Sequence, residues 1–127
     1  MKNNNICFIL SINNIENDDI IEYAYVFYNG NIISKINSKD YNILMDIKGE
    51  NLDSVELSNK IRNTLITNSN ITFIIGGSNG VSNEIKNMVN YKLSFSKMTF
   101  PHQLFRVVLL EQIYRSFKIM NNEEYHK

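Results

Sequence analysis

A glycine-rich loop, Gly76-Gly77-Ser78-Asn79-Gly80, joins a short β-favouring run to a stretch with helical spacing. Glycines at such a junction let a ligand approach the backbone, and free N–H groups there can face an anion or a carboxylate. The loop lacks the G-x-G-x-x-G spacing of dinucleotide-binding folds and the Gly-Lys-Ser/Thr of a phosphate-binding P-loop. It therefore predicts either a ligand-binding loop or an ordinary tight turn.

Histidine and cysteine, two residue types that often act as bases, nucleophiles or metal ligands, are scarce, because the chain has 2 His and 1 Cys. His102 follows Pro101 at a predicted helix start, where it could be an acid, a base, a nucleic-acid contact or simply a capping residue. His126 lies in the final Tyr125-His126-Lys127. A single cysteine excludes a disulfide framework, and two distant histidines are too few for a metal site, so no metal is predicted.

The length and composition indicate one globular domain. The chain has 127 residues, of which 43% are hydrophobic. Its longest apolar runs are far shorter than the about 20 residues that a helix needs to cross a membrane. The apolar stretch Ile6–Leu10 is too short for a signal peptide and indicates a first strand. These features predict a single-domain, cytoplasmic α/β protein.

The overall charge of zero conceals an uneven distribution. Residues 1–75 carry six basic and nine acidic side chains, whereas residues 76–127 carry seven basic and four acidic ones. The C-terminal half is therefore basic, which is compatible with a polyanion-binding face or with an ordinary solvated surface.

Strands and helices alternate along most of the chain. Strands are predicted over Ile6–Ile12, Tyr41–Ile47, Ile71–Ile75 and Leu93–Phe95. A first helix is predicted after a cap at Asp53, with an apolar stripe of Leu57, Ile61 and Leu65; two more run from Ser82 to about Val89 and from Pro101 to about Met120. Asp53 and Glu56 have capping-box spacing, Glu56 and Lys60 can pair along the first helix, and Thr99 can cap the last one. The alternation predicts an α/β fold with a mostly parallel sheet and flanking helices.

Residues 16–37 fit two structures. An amphipathic helix could span Asp18 to Tyr28. A hairpin is favoured slightly, because Tyr23–Tyr28 is rich in β-favouring residues and Asn29-Gly30 is a type I′ turn signal.

Three loops follow predicted strands at the edge where parallel α/β sheets bind ligands. They are Lys48-Gly49-Glu50, Gly76–Gly80 and Ser96–Pro101. Because the carboxyl ends of parallel strands meet at one edge, these loops predict a single site.

The last predicted helix is apolar around nearly its whole circumference. Its apolar residues are Leu104, Phe105, Val107, Val108, Leu109, Leu110, Ile113, Tyr114, Phe117, Ile119 and Met120. A helix on one sheet needs a single apolar stripe, so this one is either sandwiched inside its own domain or covered by a second subunit. We expect a dimer.

The joined pattern of GGSNG, YKLSFSKMTFPHQLFRVVLLEQIYRSFKIM and YHK resembles the RlmH family of SPOUT-class RNA methyltransferases. The resemblance covers residues 71–127 almost without interruption. The segment MDIKGENLDSVELSNKI extends it back to about Tyr41, so that residues 41–127 match the family. It implies a C-terminal trefoil knot and S-adenosylmethionine-dependent methylation of N3 of a pseudouridine in 23S ribosomal RNA of the large subunit. It also implies a homodimer, without membrane or metal.

The same resemblance implies which residues form the site. The cofactor would be held by Met45, Gly77, Ser96, Lys97, Met98, Thr99, Phe100 and Pro101. The catalytic residues would be His126, as the base for the N3 proton, with Tyr125 and Arg115 holding the uracil ring or stabilising charge on its carbonyls. His102 would shape the pocket. The C-terminal tail, Tyr125-His126-Lys127, would meet the cofactor of the other subunit and complete its active site.

The departure from the family lies near the N-terminus. We expect residues 1–127 to form one SPOUT domain in which residues 13–40 are atypical and shortened, by roughly one helix–strand unit. The pocket lies downstream of this segment, but ribosome docking could change. The alternative function is therefore a non-catalytic, dimeric RNA- or S-adenosylmethionine-binding remnant of such an enzyme.

Overall fold

The computed structural model describes residues 5–13, 20–27, 34–76 and 81–126, which form one sheet and three helices. The elements are β1 (Asn5–Asn13), β2 (Ile20–Phe27), β3 (Tyr41–Asn51), α1 (Ser54–Thr67), β4 (Asn70–Ile75), α2 (Asn83–Met88), β5 (Tyr91–Ser94) and α3 (His102–Met120). The predicted strands and helices are all present. β5 begins earlier than the predicted Leu93–Phe95 because Tyr91 already pairs with Ile43 of β3.

The sheet has the strand order β2-β1-β4-β3-β5. β3, β4 and β5 are parallel, whereas β1 is antiparallel to both of its neighbours, β2 and β4. Four of the five described strands thus point the same way, and the expected mostly parallel α/β fold is confirmed. The knotted threading implied by the resemblance stays a prediction.

The ambiguous segment contains a strand. Ile20–Phe27 forms β2, so the helix considered for Asp18 to Tyr28 is wrong. β2 pairs antiparallel with β1, from Asn5↔Phe27 to Ile12↔Ile20. The hairpin partner is therefore the preceding strand, and the predicted turn at Asn29-Gly30 lies outside the described residues.

Helices cover both faces of the sheet. On one face α1 and α3 pack on alternate strand residues, forming a core of Phe8, Leu10, Ile12, Ile43, Leu57, Ile61, Leu65, Ile71, Phe73, Ile75, Leu93, Leu109 and Ile113. On the other face the residues in between, Ile9, Leu44 and Ile74, pack with Ile36 and with Ile85 of α2. α1 links β3 to β4 and α2 links β4 to β5, so the chain reverses its direction across the sheet at β4.

The start of α1 is fixed by the predicted capping box. The Asp53 carboxylate accepts a hydrogen bond from the Glu56 backbone N–H at 2.7 Å, and Glu56 accepts from the Asp53 N–H at 2.8 Å. The spacing also predicted an ion pair between Glu56 and Lys60, and this prediction is wrong. The Lys60 ammonium lies over the rings of Tyr91 and Tyr41 instead, 4.0 and 5.3 Å from their centroids.

The start of α3 differs from the prediction. The helix begins at His102, Pro101 occupies the N-cap position, and no side chain caps the first turn. Capping by Thr99 is therefore wrong, because Thr99 lies two residues before the N-cap. The extended backbone of Pro101, with φ −56° and ψ 140°, lets the preceding loop turn into the helix without a side-chain cap.

β3 contacts β5 twice. Its first half pairs up to Met45↔Leu93, and pairing resumes at Glu50↔Leu93, so residues 46–49 form a long bulge opposite one residue of β5. The Asp46 carboxylate accepts from the Lys48 N–H at 2.9 Å within this bulge. The predicted loop Lys48-Gly49-Glu50 is thus part of the strand, because the chain rejoins β5 instead of leaving the sheet.

Gly49 allows this second contact. A Cβ added there would lie 2.6 Å from the Lys92 carbonyl carbon and 2.8 Å from the Leu93 nitrogen. These are backbone atoms within the sheet, so neither side can move without breaking pairing. Tyr91 also donates a hydrogen bond to Glu50, which ties the start of β5 to the end of β3.

We expect Gly49→Ala to destabilise the fold by about 1–3 kcal/mol, because overpacking here forces two strands apart. Urea unfolding followed by circular dichroism measures the change. Lys48→Ala is the matched control, since Lys48 is exposed in the same strand, and it should stay within about 0.5 kcal/mol of wild type. An equally small effect of Gly49→Ala would show that the close contact is not required.

Candidate functional site

A cavity of about 350 Å³ lies at the carboxyl ends of the three parallel strands. This size is within the range of small-molecule sites, and the place is the edge where the strand order reverses. Its lining comes from β3, β4, α2, β5, the loop before α3 and the first turn of α3. The residues are Leu44, Met45, Asp46, Ile47, Ile75, Gly76, Val81, Lys86, Leu93, Ser94, Phe95, Ser96, Met98, Thr99, Phe100, His102 and Phe105.

Aromatic rings form one wall of the cavity. Phe105 lies between Phe95, at a centroid distance of 5.4 Å, and Phe100, at 5.8 Å with the rings stacked. Both contacts are in the range of favourable aromatic pairs. Because Phe105 belongs to α3 and the other two to the loop after β5, the pairs hold that loop against the helix.

The loop after β5 is also held by its own polar groups. The Ser94 hydroxyl donates to the Ser96 carbonyl at 3.0 Å, and the Met98 N–H donates to the Ser96 hydroxyl at 3.0 Å. Met98 itself is 72% exposed and lies at the rim. The loop therefore forms an ordered rim of the cavity, with the apolar side chain of Met98 at the opening.

Charged and polar side chains stand at a few points of an otherwise apolar lining. They are the carboxylate of Asp46 in the β3 bulge, the ammonium of Lys86 in α2, the hydroxyls of Ser96 and Thr99, and the imidazole of His102. A cavity with apolar walls and opposite charges can bind a flat apolar group together with a zwitterion.

The predicted cofactor residues are mostly found at this cavity. Met45, Ser96, Met98, Thr99 and Phe100 line it, and so does His102, which was expected to shape the pocket. Lys97 and Pro101 belong to the same loop without lining the cavity, and Gly77 lies outside the described residues. Sequence reasoning missed Asp46, Lys86, Phe95 and Phe105. The last two carry a signal only as aromatic residues, Phe95 within the SFSKMTFPHQ motif and Phe105 two positions after it.

The tail folds back along α3. Asn122 has a φ of 56°, a left-handed conformation that asparagine tolerates, and its N–H donates to the Ile119 carbonyl. The Glu123 N–H donates to the Lys118 carbonyl at 2.9 Å, and the two side chains form a salt bridge at 3.0 Å. This turn brings Tyr125 and His126 beside the middle of the helix.

The three predicted catalytic residues come together there, around a fourth that was not predicted. Glu111 accepts from Arg115 at 2.9 Å and from the Tyr125 hydroxyl at 2.8 Å, while Arg115 lies 3.1 Å from Nδ1 of His126. The Arg115 guanidinium also lies 4.8 Å from the Tyr125 ring centroid. We call Glu111, Arg115, Tyr125 and His126 the tail cluster.

The contacts of the tail cluster shift the pKa of its members. Partial burial opposes ionisation of Glu111, but the hydrogen bonds from Arg115 and Tyr125 outweigh it and lower the pKa of this carboxyl below its usual range. The hydrogen bond to Glu111 raises the pKa of the Tyr125 phenol, and the same acceptor raises the pKa of Arg115. The cluster therefore favours an ionised Glu111 and a neutral Tyr125.

Part of α3 presents apolar side chains to solvent. Leu104 is 50% exposed, Val107 52% and Tyr114 42%, while Leu109 and Ile113 on the opposite side are buried. The exposed side of the helix also carries the tail cluster. This surface is where the sequence predicts a second subunit.

In the part of the chain that the structure describes, no three His, Cys, Asp or Glu side chains converge as a metal site. No helix there is both long and apolar enough to cross a membrane.

We expect Tyr125 to ionise at a higher pH than free tyrosine, because its raised pKa keeps the neutral donor to Glu111. The stability that this contact contributes is present below the ordinary pKa of about 10 and is lost as pH rises through the folded value. NMR titration of ring-labelled tyrosine, assigned with Tyr125→Phe, measures it. Glu111→Gln should lower the Tyr125 pKa, whereas Glu123→Gln should not; equal titration in wild type and Glu111→Gln would contradict the contact.

Comparison with known proteins identifies the family. Residues 9–126 match the model of a family described as "Predicted SPOUT methyltransferase". The chain is 58% identical over 97 residues to ribosomal RNA large subunit methyltransferase H 1 of Clostridium perfringens. These aligned residues make up 76% of this chain and 61% of the relative. Proteins named ribosomal RNA large subunit methyltransferase H from Malacoplasma penetrans and Clostridium botulinum are each 55% identical, over 87 and 100 residues.

The chain spans less than two thirds of those relatives. The matches cover 55% of the Malacoplasma protein and 63% of the Clostridium botulinum protein, against 68% and 77% of this chain. The family match, by contrast, extends over nearly all of the present sequence, from β1 through the cavity to the tail cluster. The chain belongs to the SPOUT methyltransferase family.

Proposed function

We propose that this protein transfers the methyl group of S-adenosylmethionine to N3 of a pseudouridine in 23S ribosomal RNA, in the cytoplasm and as a homodimer. The observation that carries the proposal is the cavity at the ends of β3, β4 and β5 in a SPOUT family chain. The names of the similar proteins support ribosomal RNA of the large subunit as the substrate. The pseudouridine and its N3 come from the resemblance in the sequence motifs.

The cavity fits the chemistry of this cofactor. Adenine has flat aromatic faces that pack well on apolar side chains, and the ring of Phe100 stacks on that of Phe105 beside a lining that includes Leu93 and Ile75. The methionine part carries an ammonium and a carboxylate, for which Asp46 and Lys86 are complementary charges in the lining. When bound, S-adenosylmethionine would supply a methyl group on its sulfonium sulfur, and attack of the nucleophile on the methyl carbon would break the carbon–sulfur bond, with S-adenosylhomocysteine as the leaving group.

We assign cofactor binding to Met45, Ser96, Met98, Thr99 and Phe100 at the cavity, and to Gly77, Lys97 and Pro101 by resemblance. Hydrogen bonds inside the loop hold Ser96 and Met98 in place. A preformed loop loses little conformational entropy on binding and fixes the direction of the donor. Positioning is the main contribution that the protein makes to a displacement of this kind.

The tail cluster would act on the base. The N3–H of pseudouridine must lose its proton at or before attack, and negative charge then spreads to the adjacent carbonyls. Arg115 can stabilise that charge, and the ring of Tyr125 can hold the uracil. His126 is the candidate base by resemblance.

The geometry of His126 allows a second role. An arginine only donates hydrogen bonds, so Nδ1 of His126 accepts from Arg115 and the neutral ring carries its proton on Nε2. In that state Nε2–H is a donor suited to a uracil carbonyl. To take the N3 proton, the ring must first release Arg115, so that Nδ1 accepts the proton itself or takes the ring's own proton and frees Nε2 as the acceptor.

The proposed dimer uses the exposed side of α3. Leu104, Val107 and Tyr114 would be covered by the same surface of a second copy, as in a two-fold interface. The tail cluster lies on this side, so the interface would bring it beside the cavity of the other subunit. The active site would then be composite.

We expect deletion of Tyr125-His126-Lys127 to abolish methyl transfer while leaving cofactor affinity nearly unchanged, because Tyr125 and His126 do not line the cavity of their own subunit. Calorimetric titration with S-adenosylhomocysteine measures affinity, and labelled methyl transfer to ribosomes measures turnover. His126→Ala should recover with rising pH if His126 is the base, and should not if it is a donor.

The deletion has two contradicting outcomes. Wild-type turnover by the deleted protein would remove the tail from catalysis. Binding of S-adenosylhomocysteine by the full chain without any methyl transfer would favour the alternative, a binding protein derived from an enzyme.

A composite site also predicts complementation between defective subunits. Gly77→Val puts a branched side chain into the glycine-rich loop and should weaken cofactor binding, whereas the tail deletion removes only the catalytic half. Each homodimer should be inactive, but mixed dimers should regain activity, because one site combines an intact cavity with an intact tail. Mixing subunits that carry different affinity tags and assaying the purified heterodimer tests this. An inactive heterodimer would place both halves in one subunit.

A further inference from the structure

We propose that Glu111 is a positioning residue that holds Arg115 and Tyr125 on α3 and, through Arg115, fixes His126 with Nδ1 as an acceptor. This inference rests on the proposed function for its role in turnover. It rests on the contacts of Glu111 alone for its role in the tail.

Glu111 is the hub of the tail cluster. One carboxylate oxygen, Oε2, accepts both from Nη2 of Arg115 at 2.9 Å and from the Tyr125 hydroxyl at 2.8 Å. The other, Oε1, lies 3.3 Å from Nε of Arg115 and accepts from the Gln112 amide at 3.1 Å. Glu111 thus joins a residue of the same helix to one that lies 14 positions later in the chain.

The two bonds to Arg115 determine which of its N–H groups remain. Nη2 and Nε face Glu111, so Nη1 is the group left to reach His126, at 3.1 Å from Nδ1. A guanidinium held in this fork cannot rotate without losing two charge-assisted hydrogen bonds. The orientation of Arg115 therefore fixes the orientation of the His126 imidazole and determines its tautomer.

Tyr125 is held by the same carboxylate from the other side. Its ring lies edge-on to Tyr114 at a centroid distance of 5.2 Å, so the phenol has one packed face and one fixed hydrogen bond. Tyr125 is nevertheless 40% exposed. An exposed ring on a short segment keeps a defined direction only through such contacts.

The lowered pKa of Glu111 agrees with this role, because an ionised carboxylate is the state that accepts from both partners. An isolated surface i, i+4 ion pair would contribute little to stability. Glu111 accepts four hydrogen bonds, two from Arg115 and one each from Gln112 and Tyr125, which indicates that this pair has a further structural task. That task is to orient the residues that meet the substrate.

The test uses Glu111→Ala, Glu111→Gln and Tyr125→Phe in the full chain. The matched control is Glu124→Gln, since Glu124 is an exposed carboxylate of the same segment. Nitrogen-15 NMR of labelled histidine reports the His126 tautomer, with His126→Ala assigning its signal against that of His102, the other of 2 His in the chain. Turnover and S-adenosylhomocysteine affinity are measured on the same samples.

We expect Glu111→Ala to lower kcat by about 10²-fold, the order of effect of a misplaced group, and to leave cofactor affinity unchanged. The Nε2–H tautomer of His126 should be dominant in wild type and Glu124→Gln, and mixed in Glu111→Ala. Glu111→Gln keeps an acceptor oxygen for both partners and should recover part of the loss. Tyr125→Phe should lower kcat without changing the tautomer.

A Glu111→Ala protein with wild-type kcat and an unchanged His126 tautomer would overturn the inference. If the wild-type protein itself transfers no methyl group, the proposed function fails, and the tautomer comparison alone decides the role of Glu111. A tautomer shift in Glu111→Ala then supports the inference, and an unchanged one overturns it.

Discussion

The double contact of β3 with β5 is the constraint on which the cavity depends. β3 pairs with Leu93 twice, through Met45 and again through Glu50, and the four residues in between are pushed out as a bulge. Asp46 and Ile47 of this bulge form part of the cavity wall. The second contact is possible only where a backbone can approach a backbone, which is why a glycine stands at position 49.

α3 connects the two halves of the proposed active site. Its first turn supplies His102 and Phe105 to the cavity, its middle packs on α1 through Leu109 and Ile113, and its outer side carries Glu111 and Arg115. The Ser54 hydroxyl of α1 also donates to Gln112 at 2.7 Å. One rigid helix therefore sets the position of the cofactor wall relative to the tail cluster within a subunit.

Local signals in the sequence predicted local structure well. The capping box of Asp53 and Glu56 and the cap at Ser82 depend on residues three apart, and both form as predicted. The wrong predictions fall where contacts between residues distant in the sequence override the local signals. The Lys60 ammonium lies over the ring of Tyr91, a residue distant in the sequence, and Lys48-Gly49-Glu50 stays in a strand because β5 lies beside it.

In the candidate site, too, some residues were predicted from the sequence and others were not. The SFSKMTFPHQ motif and the tail residues were predicted because the resemblance covers them, and the cavity contains five of the eight expected cofactor residues. Glu111 was missed because in the sequence it is an ordinary i, i+4 partner of Arg115. Its contact with Tyr125 requires the turn at Asn122, which no spacing rule predicts. The single-domain boundaries and the effect of the atypical residues 13–40 stay predictions.

The most direct test of the central claim is methyl transfer to ribosomes purified from cells that lack the modification. The full chain is incubated with labelled S-adenosylmethionine, and the modified nucleotide is mapped in the purified 23S ribosomal RNA. The proposed function predicts label at N3 of a single pseudouridine, with a stoichiometry approaching one methyl group per ribosome. Label at another atom, or cofactor binding in the cavity with no label in any RNA, would contradict it.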